Sequence, residues 1–287
     1  MKKILILSGK GGTGKTTVAS AFIELSKSTI FADCDVDAPN LDLIVNLNSK
    51  PKSTNFYGLP KAIIDPNKCI KCGKCKNLCK FNAIKENENG YFIINNYACE
   101  SCGVCEFHCP VGAIKLVDNV SGELNLYNAS MNFSTAKLKM GQGNSGKLVT
   151  AVKSQLEGFD NSEFSIIDGS PGIGCPVIAS ISGVDFVLIV TEPSISGLSD
   201  MKRIVKTVKN FNLPMAVCVN KYDINIDYTN QIENYCKTNN IDFVGKICYD
   251  SNVPKCINAG TNIINVDCQA KKDISTIYNN VINIIRN

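Results

Sequence analysis

No apolar run in this sequence approaches the roughly 20 residues that a membrane-spanning helix needs, which excludes a helical membrane protein. The apolar stretch at residues 4–7 is too short for the core of a signal peptide and runs straight into a glycine loop. With no export signal in view, the cytoplasm is the expected location. Charge of one sign is also lacking. Thirty Lys and Arg stand against 26 Asp and Glu, and the formal net charge of +4 is too small to call for a nucleic-acid partner. Histidine is nearly absent: His108 is the single one, and a lone histidine lacks a partner for acid–base work.

What is present is a globular composition, 44% hydrophobic and 20% charged, over 287 residues. That length suffices for one large domain and a small one with no disulfide staples. The 15 cysteines are therefore not read as disulfides, since the expected compartment is reducing. Eight of them sit in two tight runs, a spacing that signals metal. The other seven, Cys34, Cys175, Cys218, Cys236, Cys248, Cys256 and Cys268, are scattered, and most are expected to be buried small hydrophobes.

The pattern along the chain divides it. Residues 3–7 read as a buried parallel strand, 8–14 as a glycine loop, and 15–27 as a helix. A short strand at 29–32 follows. From about 60 to 115 the chain is rich in cysteine and lysine, with little periodicity. Residues 116–135 read as a hairpin returning to the main domain. Strands are then expected at 164–168, 185–191, 214–220 and 243–247, with helices near 145–156, 174–182, 196–210, 228–239 and 271–286. This alternation predicts an α/β fold, a mostly parallel sheet with helices on both faces. It is interrupted by a small α+β insertion, the cysteine-rich stretch. The expected domains are 1–59 with 116–287, and 60–115.

Gly9-Lys10-Gly11-Gly12-Thr13-Gly14-Lys15-Thr16-Thr17 contains the G-x-x-x-x-G-K-[ST] pattern. Its glycines let backbone N–H groups wrap phosphates at a helix N-terminus. Lys15 is placed to reach the β and γ phosphates, and Thr16 to offer its hydroxyl to magnesium. ATP or ADP with magnesium is the ligand this loop implies.

The cysteine stretch is an internal repeat of period 30. Cys69, Cys72, Cys75 and Cys79 map onto Cys99, Cys102, Cys105 and Cys109, and Gly73, Ala83 and Ile84 onto Gly103, Ala113 and Ile114. C-x2-C-x2-C-x3-C twice is the two-cluster ferredoxin spacing, in which the fourth cysteine of each run closes the other cluster. One 4Fe–4S cluster is thus expected on Cys69, Cys72, Cys75 and Cys109, the other on Cys99, Cys102, Cys105 and Cys79. Zinc is the competing reading of paired CxxC motifs, but triple runs with a crossed fourth cysteine suit cubes better. The second run ends Cys109-Pro110, the first Cys79-Lys80. The missing proline is expected to raise the exposure of one cluster and alter its potential without abolishing ligation. Residues 61–85 hold seven lysines against one acid, Asp65. They read as a solvated face, as a docking face for an acidic redox partner, or as compensation for anionic clusters.

A lysine directly after the first loop glycine, here Lys10, resembles the deviant Walker A motif of the MinD and ParA ATPases and the nitrogenase iron protein. The resemblance implies that Lys10 reaches the partner's phosphates across a nucleotide-sandwich dimer, formed by two copies or with a close paralogue. It assigns Asp35, in Asp33-Cys34-Asp35-Val36-Asp37, to orienting the attacking water, with Asp33 and Asp37 as cap or turn carboxylates. Asp168, in Ile167-Asp168-Gly169-Ser170-Pro171-Gly172, would hold magnesium through water, with Gly169 and Gly172 hinging the loop. Asn220, before Lys221, would contact adenine, and Thr191-Glu192-Pro193, ending another strand, would lie near the base or the dimer partner. Lys10, Lys15 and Asp35 are the candidate catalytic residues.

Over essentially its whole length the chain resembles MinD-superfamily ATPases with an inserted ferredoxin domain, relatives of Mrp-type iron–sulfur carriers. Residues 140–149 are similar to a stretch that follows the insertion in that family; they read either as an anion-binding loop or as a plain connection. The C-terminal CxxC of the Mrp-type carriers is missing, so a dimer-bridging cluster is not expected. The resemblance implies an ATPase that couples its nucleotide switch to electron transfer, as a redox or metallocofactor-assembly accessory. A cluster carrier and a MinD-like positioning ATPase are the alternatives. The latter would need a basic amphipathic tail, whereas the apolar stripe of the last helix is expected to pack on the sheet; no membrane or nucleic acid is expected among the partners.

Overall fold

The computed structural model describes residues 1–287 apart from Asn46 and Asn48. The chain forms two compact units. Unit 1 takes Met1–Ser53, Leu124–Lys137 and Ser145–Asn287; unit 2 takes Thr54–Glu123 and Leu138–Asn144. In chain order the elements are β1 (Lys2–Leu7), α1 (Lys15–Ser26), β2 (Ile30–Asp33), β3 (Lys52–Tyr57), β4 (Lys61–Ile64), α2 (Lys74–Leu78), β5 (Ile84–Glu86), β6 (Phe92–Ile94), α3 (Val104–Phe107), β7 (Ile114–Val117), β8 (Val120–Asn128) and β9 (Asn132–Leu138). They continue with α4 (Ser145–Ser154), β10 (Phe164–Asp168), α5 (Cys175–Ile181), β11 (Phe186–Thr191), α6 (Ile195–Lys209), β12 (Met215–Asn220), α7 (Ile226–Thr238), β13 (Asp242–Ile247), α8 (Asn252–Asn258) and α9 (Gln269–Arg286).

Among the described residues the main sheet runs β13-β12-β11-β1-β10-β2-β9-β8-β3. Neighbours from β13 to β9 pair in parallel. Each strand of that part is followed by a helix or loop that returns the chain to the same end, so the strand C-termini line one edge, where ligands of open parallel sheets bind. Ile4, Leu5, Ile6 and Leu7 of β1 are wholly buried. A continuous apolar run is what a strand covered on both faces requires. The α/β architecture is the one the alternation predicts.

The stripe on α9 is buried at Ala270, Ile274, Ile277, Val281 and Ile282. Tyr278 meets the ring of Phe22 edge-on at 5.2 Å. Each such aliphatic side chain contributes about 1.5–3 kcal/mol by leaving water. The stripe is committed to the core, as its spacing suggests.

Unit 2 is built from small ladders. Strand β4 pairs antiparallel with β7, and β5 with β6. Its buried cluster is slight: Ala62, Ala83, Cys99 and Ile114. The backbone repeats with the sequence. Lys71 and Ser101 both have φ 57°, Gly73 and Gly103 φ 72° and 74°, and Asn82 and Gly112 φ 51° and 62°. Strands β3 to β6, and α8 in unit 1, are elements that the sequence pattern does not announce.

Candidate nucleotide and cysteine sites

The loop after β1 carries the phosphate-binding pattern, and its geometry follows from two constraints. Gly14 adopts φ 88° at the N-terminus of α1, and no side chain caps that end. A Cβ on Gly14 would stand 2.3 Å from Asn220 Nδ2. The free N–H groups of the first turn are therefore left facing a position that an anion satisfies. Thr13 Oγ1 is buried with no hydrogen-bond partner among the described residues, a further polar group that a ligand would complete.

Behind the loop, strand register gathers the charges. Ile6 of β1 is the register partner of Asp168 on β10, and Asp168 that of Asp33 on β2. Asp33 and Asp168 are both fully buried. Lys15 Nζ pairs with Asp168 Oδ1, and Thr16 Oγ1 donates to Asp168 Oδ2 at 2.7 Å. Burial alone would lower the Lys15 pKa, but the carboxylates of Asp168, Asp33 and Asp35 outweigh it and hold the ammonium above its ordinary value.

Asp33 does structural work. Its carboxylate accepts N–H bonds from Asp35 at 2.9 Å and from Asn40 and Leu41 at 3.0 Å each, pinning the loop after β2. Burial, followed by the charge of Asp168, pushes its pKa up to about 7 against the pull of Lys15 and those amides. Burial also raises Asp35, opposed by Lys15. Asp37 is exposed. In the loop after β10, Gly172 adopts φ 97° and donates its N–H to Ser8 O at 3.0 Å.

Lys10 is held within its own chain. Its Nζ lies 3.3 Å from Glu192 Oε2 and donates to Ser196 Oγ at 3.3 Å. The other Glu192 oxygen takes Lys221 Nζ at 2.6 Å. Asn220 donates from Nδ2 to Thr13 O at 2.8 Å, so it braces the phosphate loop as well as lining the cleft beside it. That cleft holds about 680 Å³ and is lined in part by Gly12, Thr17, Asn220, Tyr249, Pro254 and Ile257. Tyr249, Pro254 and Ile257 belong to no motif, and sequence reasoning missed them.

In unit 2, two cavities of about 380 and 330 Å³ are each walled by four cysteines. The larger has Cys79, Cys99, Cys102 and Cys105; the smaller has Cys69, Cys72, Cys75 and Cys109. Each set joins three cysteines of one run with the fourth of the other. Among the described residues no three His, Cys, Asp or Glu side chains converge on a point that would hold one metal ion. The four thiols of each set instead share the lining of one cavity. Ala113 N–H donates to Cys109 Sγ at 3.2 Å. Burial raises the Cys109 pKa, but N–H groups of Val111, Ala113, Ile114 and Gly112 outweigh it and lower the thiol below its ordinary value. Cys79 and Cys109 are alike half-buried, whereas Cys72 and Cys102 are exposed. His108 is exposed and packs edge-on against Phe107, ring centroids 5.1 Å apart. Of the scattered cysteines, Cys34, Cys218, Cys236, Cys256 and Cys268 are buried, Cys248 is half-buried and Cys175 exposed.

The CbiA family model, described as the CobQ/CobB/MinD/ParA nucleotide binding domain, matches residues 4–263. An uncharacterized protein of Methanocaldococcus jannaschii is 35% identical over 96% of this chain and 95% of its own. The iron-sulfur cluster carrier protein of the same organism is 23% identical, over 98% and 83%. Among solved structures, the Pyrococcus furiosus cell division ATPase MinD superposes with TM-score 0.59 at 16% identity, covering 99% of both chains. MinD of Pyrococcus horikoshii, solved with Mg-ADP, gives TM-score 0.56 at 16% identity over 99% and 96%. With a phosphate loop on β1, an acidic residue ending β10 and a family match over most of its length, the chain belongs to the CobQ/CobB/MinD/ParA nucleotide-binding family.

Proposed function

We propose that this chain is an ATP-hydrolysing iron–sulfur protein in which a nucleotide-driven switch governs electron transfer through two 4Fe–4S clusters. It would serve as a redox or metallocofactor-assembly accessory. The observation that carries the reading is the pair of four-thiol cavities in a chain that also holds the phosphate loop. The donor sets fit the group. Four cysteines per cavity, apolar walls and backbone N–H groups turned toward sulfur are the surroundings of a cubane cluster. When bound, such clusters supply reversible one-electron chemistry at low potential.

At the nucleotide site the residues divide the work. Backbone N–H groups from Gly11 to Thr16 would bind the phosphates. Thr16 and Asp168, with oxygens 2.7 Å apart, would hold magnesium, which neutralises charge developing on the phosphoryl oxygens. Lys15 sits at the same place as their counter-charge. Asp35 would orient the attacking water, and Lys10 would leave Glu192 to reach a second subunit's phosphates in a sandwich dimer, with itself or with a close paralogue. The chain enters the cysteine segment after Asp35 and leaves it before Asp168. The insertion therefore lies in sequence between the two segments that sense the γ-phosphate.

Purification without oxygen, iron and sulfide analysis, and electron paramagnetic resonance with and without ATP test the reading. Two cubane signals whose potential or reduction rate shifts with ATP support it. Cluster signals indifferent to nucleotide would overturn the coupling, and an iron-free protein would overturn the cluster assignment.

A carrier function is the second reading. It is favoured by the exposure of Cys72 and Cys102 and by the iron-sulfur cluster carrier among the relatives. It predicts clusters that a chelator strips within minutes and that pass to an apo-acceptor. A positioning role on a lipid surface gains nothing from α9, whose apolar stripe is buried.

A further inference from the structure

The two halves of the cysteine repeat share a backbone and differ in charge. Positive φ angles recur at the same three places in both, and each half opens its short helix after a glycine. Yet residues 61–85 hold seven lysines and one aspartate, a formal +6, while the equivalent residues 91–115 hold two glutamates and the single lysine Lys115, a formal −1. Since one local fold is built twice with opposite charge, folding does not demand the charge. An asymmetry of this size steers partners.

Its placement is specific. Lys68, Lys71, Lys74, Lys76, Lys80 and Lys85 are all exposed. Lys68 pairs with Asp65 at 3.7 Å and Lys76 with Glu86 at 3.2 Å, and Lys71 lies over the Tyr91 ring at 3.6 Å. Lys74, Lys80 and Lys85 make no ion pair or side-chain hydrogen bond among the described residues. Lys74 stands on the wall of the cavity of Cys69, Cys72, Cys75 and Cys109, together with Ile70, Pro110 and Val111. On the wall of the other cavity the repeat puts Val104 in place of Lys74, and the charged residue there is Glu100. Ile70, on that same wall, is 60% exposed; Phe81, 46% exposed among the lysines, lines the twin cavity. Apolar side chains among lysines, beside a thiol-walled cavity, match the apolar centre and charged rim of a transient protein interface. Nucleic acid fits less well. Residues 61–85 contain no arginine, the usual fork for phosphate, and Phe81 is their single aromatic.

We infer that the lysine-rich half of unit 2 is the docking face for an acidic one-electron carrier protein, and that electrons cross at the cavity of Cys69, Cys72, Cys75 and Cys109 rather than at its twin. The inference rests on the iron–sulfur reading above. In the transfer the carrier loses one electron and the centre on this chain gains it, with no bond made or broken.

The test uses the whole chain purified without oxygen, with iron and sulfide measured on every sample and an acidic bacterial-type ferredoxin as the probe. Binding is measured at low and moderate salt for the native chain, for the triple variant Lys74→Glu, Lys80→Glu, Lys85→Glu, and for the double variant Glu88→Gln, Glu100→Gln. The expected result is affinity that falls as salt rises, drops about tenfold or more in the lysine variant, and holds or rises in the glutamate variant. Iron and sulfide content should be the same in all three proteins, since none of the exchanged side chains is a candidate ligand. Equal binding by native chain and lysine variant overturns the docking face, as does equal weakening by the glutamate variant or displacement of the ferredoxin by duplex DNA at equal charge. Iron-loaded chain that binds no ferredoxin sinks the docking face and leaves the cluster reading intact. Lysine-dependent binding by iron-free chain does the reverse.

Discussion

Asp33 and Asp168 are register partners at the C-terminal ends of adjacent parallel strands, both wholly buried, and the ammonium of Lys15 is paired to the second of them. Two carboxylates against one lysine leave one in a poor position when no ligand is bound, and Asp33 is the one pushed up, to about 7.

The nucleotide-free protein should therefore lose stability as pH rises. Folded Asp33 keeps its proton to about pH 7, whereas the unfolded chain releases it near 3.8. Between those values the folded state binds more protons, so unfolding grows easier with rising pH and the effect levels off above 7. Thermal or urea unfolding across that window measures the slope. Asp33→Asn should flatten it while lowering stability by about 1–3 kcal/mol, because an amide cannot accept all three N–H bonds.

Removing the lysine of the buried pair should cost more than nucleotide binding. Lys15→Ala leaves Asp168 uncompensated in the interior, a loss of about 3–5 kcal/mol in urea unfolding. Thr16→Ala removes one hydrogen bond to the same carboxylate and should cost only about 1 kcal/mol while weakening magnesium-dependent binding. Comparable losses from the two variants would contradict the burial of the pair.

Gly14→Ala should abolish nucleotide binding, since the new Cβ meets Asn220 and the left-handed backbone costs about 1–2 kcal/mol more with a side chain. Asn220→Ala should be milder, weakening ATP about tenfold through the lost brace on Thr13, worth about 1 kcal/mol. Combining them relieves the collision and not the backbone strain. The double variant should thus bind better than Gly14→Ala alone and worse than Asn220→Ala, read by calorimetry.

Crossed cysteine sets have a distinctive consequence. Cys79→Ser should disturb the cavity of Cys99, Cys102 and Cys105, and leave that of its sequence neighbours intact. Iron should fall from about eight to about four per chain, with the surviving signal unaltered by a further Cys102→Ser and removed by Cys72→Ser. Loss of the neighbours' signal instead would show uncrossed ligation.

What could be read without coordinates was what rests on local chemistry. Gly9 to Thr16 state their geometry by residue type, and Asp168 follows a strand too apolar to be anything but buried. Long-range pairings left no local trace. Lys10 and Glu192 are 182 positions apart, and only the strand order brings them together. Strands of three or four residues such as β4 to β6 are too short for periodicity to show, and β4 finds its partner β7 about fifty residues on. Helix α8 carries Pro254 in its first turn, where proline is tolerated, although on the page it reads as a break. The cleft residues Pro254 and Ile257 lie on that helix and were hidden with it.

The sharing of Glu192 between Lys10 and Lys221 ties two positions that do not touch. Each ammonium holds one oxygen of the same carboxylate, and each is about a third exposed, at 33% and 34%. Neutralise one lysine and the other inherits the whole counter-charge and sits more firmly. Positions 10 and 221 are therefore thermodynamically coupled, and substitutions at both should exceed the sum of their separate effects, because only the double variant strips Glu192 of both counter-charges. A ligand that draws one lysine away tightens the hold on the other.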